Sequence, residues 1–396
     1  MSDSNVGISR RRMLGGVGAL ALAGAVGMTL GGCSGAARTS GGATSSPADA
    51  AGSSAGDGEA PSSSHADSSS SADQLVSRVF FAFDTLVTIK GAGITDEMFD
   101  SIASELQRFD ALFSAHKDDS DIGRINAAGG APVQVDPDTA DLISRSLEVC
   151  DLFDGDFDIT IGSVSLLWDF VEGVKPSDEA IAQGVAHVDY HGVNVDGTTV
   201  SLDDPDAKLD LGGIAKGWIA GRLDEMLGSW GVEHADIDLG SSSIYLRGAK
   251  PDGSDWRLGL RDPANPEGSS LGVIEASNAA VVTSGLYDQH FVLDGVDYYH
   301  ILDPRTGYPA QTDMAALTAV LGDSLLGDGL TTAFFIRGVQ GSLDWISQHP
   351  ERGVEAVFIG DDDQLTFTDG FVDDYVFESA RPASSSADAG ASAAEG

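Results

Sequence analysis

The chain predicts an α+β fold, with a mixed and largely antiparallel sheet packed against helices. Two observations carry this. Helical patterns come early and short strand-like segments cluster later, without the strand–helix alternation of a parallel α/β sheet. Some of the strand-like segments are joined by Asp-Gly dipeptides, which turn a chain back into an antiparallel hairpin.

Taken in order, residues 79–89 (VFFAFDTLVTI) read as one strand, rich in β-branched and aromatic side chains. Thr95 is placed to cap a helix whose Met98, Ile102, Leu106, Phe109 and Phe113 recur at three- and four-residue spacing. The polar loop SAHKDDSDIGRIN follows. Asp136-Pro137 opens a second helix with Ile143, Leu147 and Cys150 on one face, ended by Gly155. GDFDITIG and a short LLWDF segment come next, then a hairpin over residues 193–200 turning at Asp196-Gly197. Residues 208–227 hold a strand end, a glycine pair and a helix. Short strands then succeed one another: ADIDLG, SIYLRG, WRLGL, GVIEA, AAVVTSG and FVLDGVDYYHIL, the last turning at Asp294-Gly295. After the strand-like MAALTAVLG come a helix near Asp328 and a hairpin around Asp361 to Asp363.

Composition restricts the partners. The 396 residues carry 22 basic and 62 acidic side chains, a net charge of −40. Nucleic-acid binding depends on Lys and Arg, so this surface excludes it. A free nucleotide is repelled as well, unless a divalent cation and a local basic group offset the repulsion. Two cysteines, Cys33 and Cys150, are too few for a structural zinc site.

The N-terminus reads as an address. Arg10-Arg11-Arg12-Met13-Leu14 precedes a Gly- and Ala-rich apolar run, the pattern of a signal peptide, and resembles a twin-arginine signal. Leu30-Gly31-Gly32-Cys33 resembles a bacterial lipobox, which implies cleavage before Cys33 and acylation of its thiol, for example by palmitate. The predicted organisation is a signal peptide over 1–32, a disordered tether over 33–74, a folded domain over 75–382 and a disordered tail over 383–396. Forty tether residues span on the order of 35 Å as a coil. A lipid-anchored protein on the extracytoplasmic face of the cell membrane is the expected location.

The chemistry concentrates between residues 299 and 334. YHILDPRTGYP brings His300, Asp303 and Arg305 beside a turn; Asp303 and Arg305 can equally be a pair that fixes it. In LLGDGLTTAFF, Asp328 and Thr332 stand at i and i+4, hence on one helix face. A carboxylate and a hydroxyl are hard oxygen ligands suited to Mg²⁺. His300 titrates near neutrality and can take a proton from an attacking hydroxyl. In LDLGGIAKG, Gly212 and Gly213 let the backbone approach a ligand, and Lys216 adds positive charge at a helix start. Asp156 and Asp158 in GDFDIT, if on a strand, point the same way and can accept hydrogen bonds from a ribityl chain or a base edge.

Together these pieces resemble the ApbE family of FAD:protein FMN transferases. The resemblance rests on FDT (83–85), SDIGRIN (120–126), GDFDITIG (155–162), LDLGGIAKG (209–217), TSG (283–285) and HILDPRTGYP (300–309), closed by DGLTTAF (328–334). It implies an ApbE-like fold and Mg²⁺-dependent transfer of FMN from FAD to a threonine or serine hydroxyl of an extracytoplasmic acceptor flavoprotein, with release of AMP. It also implies roles: Asp328, Thr332 and the Gly213 carbonyl as metal ligands, and His300 as general base. Phe83, Asp156, Phe157, Asp158, Asp210, Lys216 and Leu302 fall at flavin-nucleotide positions, and His116 stands where many relatives carry a tyrosine over the flavin ring. The sequence departs from the family at FDT, often Met-Gly-Thr, and at Gly240 to Ser243, often a glycine pair. Water in place of the acceptor hydroxyl would make the chain an FAD pyrophosphatase, and loss of catalysis would leave a flavin-binding lipoprotein.

Overall fold

The computed structural model describes residues 74–265, 270–372 and 378–379; the signal, lipobox and tail lie outside them, as does all of the tether but Gln74. The chain enters its main sheet through a hairpin of β1 (Leu75–Ala82) and β2 (Thr85–Ala92), where the sequence reads as one strand. Its two-residue turn is Phe83-Asp84, with φ of 54° and 56°. Such a turn needs positive φ at both central residues, which usually means Asn-Gly or Asp-Gly. Neither dipeptide is present, so the turn is silent in the sequence, and each side chain costs about 1 kcal/mol in that region.

Helices α1 (Asp96–Phe113), α2 (Asp121–Ala127) and α3 (Pro137–Leu152) follow, with β3 (Val133–Gln134) before α3. The caps are those the sequence offers: Thr95 accepts from the Met98 N–H and Asp136 from the Asp138 N–H. The buried stripe of α1 is the expected one, except that Phe99 is buried and Met98 only half so. Cys150 lies on the inner face of α3, and burial pushes its thiol well above the usual range. GDFDIT is not a strand but a run of turns before the short α4 (Gly162–Ser165). After α5 (Asp178–Val185) come β4 (Val193–Asp196) and β5 (Thr199–Leu202). Asp196 pairs with Thr199, so the turn centres on Gly197-Thr198, one residue beyond the expected place.

The remaining elements are α6 (Ala215–Ser229), β6 (Ala235–Leu239), β7 (Ser243–Arg247), β8 (Trp256–Leu260), β9 (Gly272–Ala276), β10 (Ala279–Gly285), β11 (His290–Leu293), β12 (Val296–Tyr299), β13 (Met314–Leu321), α7 (Ser324–Gln348), β14 (Glu355–Gly360), β15 (Leu365–Phe367) and β16 (Glu378–Ser379). The main sheet runs β1-β2-β6-β7-β10-β13-β14-β15, and each neighbouring pair is antiparallel. The α+β expectation with antiparallel sheet is therefore met. β11 and β12 form a separate hairpin that turns at Asp294-Gly295, as expected, with φ of 52° and 80°. Gly338, with φ 71°, breaks α7 into two helical segments.

Alternating residues of the central strands feed two cores. Ala280 and Val282 of β10, with Leu317, Ala319 and Leu321 of β13, join the core built with α1, α3, α6 and α7. Ala279, Val281, Ala316 and Val320 face the other way, against Trp256 and Leu260 of β8 and Ile274 of β9. The register also gathers motifs at one end of the sheet. Leu239 pairs with Val87 and with Ser243, Val282 pairs with Ser243, and Gly285 pairs with Ala316. FDT, the Gly240–Ser242 loop and TSG thus share that end.

α6 and α7 cross at backbone contact. A Cβ on Gly217 would lie 2.1 Å from the Ser324 carbonyl oxygen and 2.9 Å from the Leu325 Cα. Both polar groups of Gly217 are used there: its N–H donates to Asp328 Oδ2 at 2.6 Å and its carbonyl accepts from Ser324 Oγ at 2.7 Å. Gly217→Ala must push the helices apart. We expect a loss of about 3 kcal/mol, from overpacking and the broken hydrogen bond, in urea unfolding. A variant within about 0.5 kcal/mol of wild type, the usual effect of a surface change, would contradict this contact.

Candidate active site

The first turn of α6 has no side-chain cap of its own, since Ile214 stands at the cap position. Asp328 supplies one from α7: its carboxylate meets the exposed N–H groups and the positive end of the α6 dipole. The side chain is buried, and burial pushes its pKa up to about 6, against the downward pull of Lys216 and the Gly217 N–H. Ser243 lies close enough to lower that value slightly, yet its buried Oγ makes no hydrogen bond of ordinary geometry.

Thr332, one turn along α7, makes only a long bond to the Asp328 carbonyl, 3.4 Å. Gly213 faces it: a Cβ there would stand 3.7 Å from Thr332 Oγ1 and 3.3 Å from the Phe157 ring. Gly213 and Thr332 are thus neighbours, and Asp328 stands one turn before Thr332 on the same helix. A buried carboxylate short of positive charge, a lightly used hydroxyl, an orphaned serine oxygen and a side-chain-free glycine suit a hard cation. Lys216 donates to Ser242 Oγ and acts electrostatically on Asp328, Asp238 and His300. Gly240 abuts Thr85, so the Phe83-Asp84 turn borders the same loop.

His300 follows β12, and its N–H donates to the Gln289 carbonyl at 3.0 Å. The residue is open to solvent although protein surrounds much of the ring. That partial desolvation lowers its pKa, with Lys216 adding to the effect and Asp288 opposing it. Since the ring is reachable by water, the direction matters here: it favours the neutral imidazole, the form that accepts a proton.

The other expected residues fall into three settings. Asp156 is held between two guanidinium groups, Arg337 Nε at 2.6 Å and Arg305 at 3.3 Å, and Arg305 also forks onto Asp303 at 2.9 and 3.1 Å. Asp158 points inward and accepts from the Thr160 N–H and hydroxyl and from the Tyr190 N–H, at 2.7, 2.6 and 3.1 Å. The pair does not share a face, because the segment is not extended. Asp210 accepts from Ser165 Oγ and the Gly212 N–H, which fixes the glycine turn. Phe157 is buried beneath Gly213 and Gly329, and Leu302 in a small core with Val164, Trp168 and Ile181. Asp110 accepts from the Phe83 N–H and from Lys117, the residue after His116, while the His116 N–H donates to Ser114 Oγ. Arg337 is a site neighbour the sequence reading missed, whereas Ser242 and Ser243 lie in the Gly240 to Ser243 stretch noted there only as a departure from the family pattern. Arg337 had no local signal, since five residues beyond Thr332 is about 140° round the helix.

A cavity of about 310 Å³ lies elsewhere, lined by Thr160, His187, His191, Asp189 and Asp204 among others. His187, Asp204 and Asp206 there bring ligand atoms within 4.8 Å of one another. None of the expected site residues lines it, and no phosphate-seeking cation does, so the chemistry points to the Asp328 corner.

The comparisons agree with this architecture. The ApbE family profile matches residues 83–358, and the chain belongs to the ApbE family. Among curated relatives, a FAD:protein FMN transferase of Treponema pallidum is 34% identical over 285 residues, 68% of this chain and 78% of that protein. One of Vibrio cholerae is 31% identical over 238 residues, 59% of this chain and 71% of its own length. Of solved structures, the ApbE protein of Thermotoga maritima aligns with a TM-score of 0.69 at 30% identity, covering 75% of this chain and 98% of that one. The flavin transferase ApbE of Vibrio cholerae gives 0.67 at 27% identity, covering 75% and 98%.

The Asp328 carboxylate has a measurable signature in the metal-free protein. Its folded pKa is about 6, above the ordinary value of about 3.9. Between those values the folded state binds more protons than the unfolded one, so this group's contribution to stability falls as pH rises from about 4 through about 6 and is constant above. The penalty at neutral pH is about 3 kcal/mol. Asp328→Asn should remove that part of the slope in urea midpoints measured without metal. A slope unchanged by the substitution would mean that Asp328 ionises normally.

Proposed function

We propose that this chain is a Mg²⁺-dependent FAD:protein FMN transferase, moving FMN from FAD to a threonine or serine hydroxyl of an acceptor flavoprotein and releasing AMP. The observation that carries the reading is the buried Asp328 carboxylate on the first turn of α6, one helical turn before Thr332, which the bare backbone of Gly213 faces. Family membership and the names of its relatives support the transferase class.

The chemistry is a phosphoryl-centred substitution. The acceptor oxygen bonds to the FMN phosphorus, the bond from that phosphorus to the AMP oxygen breaks, and AMP leaves with the electron pair. His300, whose lowered pKa favours the neutral ring, takes the hydroxyl proton. Asp328, Thr332 and the Gly213 carbonyl would hold Mg²⁺, which supplies charge neutralisation on the phosphate oxygens when bound. Lys216 adds a fixed positive charge in an otherwise acidic molecule. The Arg305–Asp156–Arg337 chain holds the 303–307 turn against the 155–158 segment, which braces the wall on which a flavin-nucleotide lies. Cys33, acylated after signal cleavage, would tether the domain outside the cytoplasmic membrane; the arginine run and Leu30 to Cys33 support that part.

Incubating the protein with FAD, Mg²⁺ and an acceptor flavoprotein should add the mass of FMN to the acceptor and yield AMP. Free FMN with unlabelled acceptor would favour the pyrophosphatase, and bound FAD with no AMP the carrier. Asp328→Ala should abolish the Mg²⁺-dependent reaction. His300→Ala should slow transfer about 10²-fold or more, the usual worth of a general base, while FAD affinity stays close to wild type. An equal loss of affinity would make His300 a contact and not a base. Cys33→Ser should shift the protein from the membrane fraction to the soluble one.

A further inference from the structure

The β11–β12 hairpin is attached directly to His300. The His300 N–H closes its base on Gln289, and the Tyr299 hydroxyl donates to the Ala310 carbonyl. One face is braced from below: Phe291 and Tyr298 stack with ring centroids 5.5 Å apart, and both lie against Trp168. Trp168 in turn donates to the Gly307 carbonyl in the turn that holds Arg305. Gly173 brings the 167–174 loop against the hairpin, since a Cβ there would sit 3.6 Å from the Phe291 side chain. The hairpin is therefore a fixed extension of the wall that carries His300.

Its outer surface is not that of an isolated hairpin. Neither edge pairs with another strand among the described residues. Free edges are ordinarily covered, shortened or charged. Leu293 and Val296 pair near the tip on the face of Phe291 and Tyr298 and are both exposed, and Val171 on the loop packed against that face is 88% exposed, with Val174 and Leu167 exposed on the same loop; Val292, 65% exposed, lies on the opposite face with His290 and Asp297. Carboxylates border these residues along the chain, Asp294 at the hairpin tip and Glu172 on the loop, whereas Asp297 is held by His290 at 2.9 Å on the opposite face. Contiguous exposed apolar residues within a charged rim mark a surface that another molecule covers.

We propose that this hairpin and the 167–174 loop dock the acceptor protein, whose hydroxyl-bearing segment lies extended along a free hairpin edge as a third strand. The proposal rests on the transferase reading, in which a protein hydroxyl must be delivered to His300. Strand addition supplies backbone hydrogen bonds that hold a segment in register, while contacts to its alternate side chains set which sequence is taken. The apolar patch favours aliphatic side chains on that segment, and the acidic rim favours Lys or Arg beside them. A bound strand leads towards His300, because β12 itself runs into that residue.

The test compares wild type with the triple variant Val292→Ser, Leu293→Ser, Val296→Ser, and separately with Val171→Ser, a loop change that leaves the hairpin untouched. With a purified acceptor flavoprotein, FAD and Mg²⁺, the triple variant should lose about tenfold or more in kcat/KM for the acceptor, through KM. Val171→Ser should lose in the same direction, and FAD binding should match wild type in both. Acceptor KM should also rise with salt, as the acidic rim is screened. Variants that both label the acceptor within about twofold of wild type, a change smaller than an interface anchor makes, would overturn the docking surface alone. A wild-type protein that labels no acceptor would overturn the transferase reading and the docking with it.

Discussion

The structure depends on the crossing of α6 and α7 at Gly217. A missing Cβ lets the two backbones touch, and that contact puts the α7 carboxylate of Asp328 onto the uncapped first turn of α6. Everything polar in the corner follows from this approach. The glycine turn at 212–213 lies opposite Thr332 because the helix it opens is pinned at its third residue. Lys216, next to the contact, projects to Ser242 at the end of the sheet. A side chain at 217 would separate the metal-seeking residues from the turn and the lysine together.

The same corner shows how an acidic protein can favour an anionic ligand locally. Asp328 is desolvated and underneutralised, so a divalent cation held there, as proposed, would relieve a penalty already present in the fold. On the proposed reading, the cation-loaded site would present positive charge to a pyrophosphate while the remaining surface repels polyanions. The Arg305–Asp156–Arg337 chain adds a second basic element, largely neutralised internally, which makes it a brace more than an attractor.

Much of this was legible in the sequence. Caps at Thr95 and Asp136, the Asp294-Gly295 turn and the alternating strands are local signals that tertiary packing did not override. The i and i+4 spacing of Asp328 and Thr332 placed both on one helix, as found. What failed had physical causes. Phe83-Asp84 turns without any residue that favours positive φ, so a hairpin read as one strand. Asp156 and Asp158 alternate as strand residues do, but Gly155 and the Arg337 clamp bend that segment, and the two carboxylates part. Sheet order and the meeting of Arg305 with Arg337 across Asp156 are long-range facts with no local trace.

Cys150 carries a further consequence. Its sulfur is sealed inside the helical core, and desolvation keeps the proton on it at any physiological pH. A thiol that neither ionises nor meets a partner takes no part in disulfide exchange. The folded domain accordingly keeps its covalent structure unchanged in reducing and in oxidising surroundings alike.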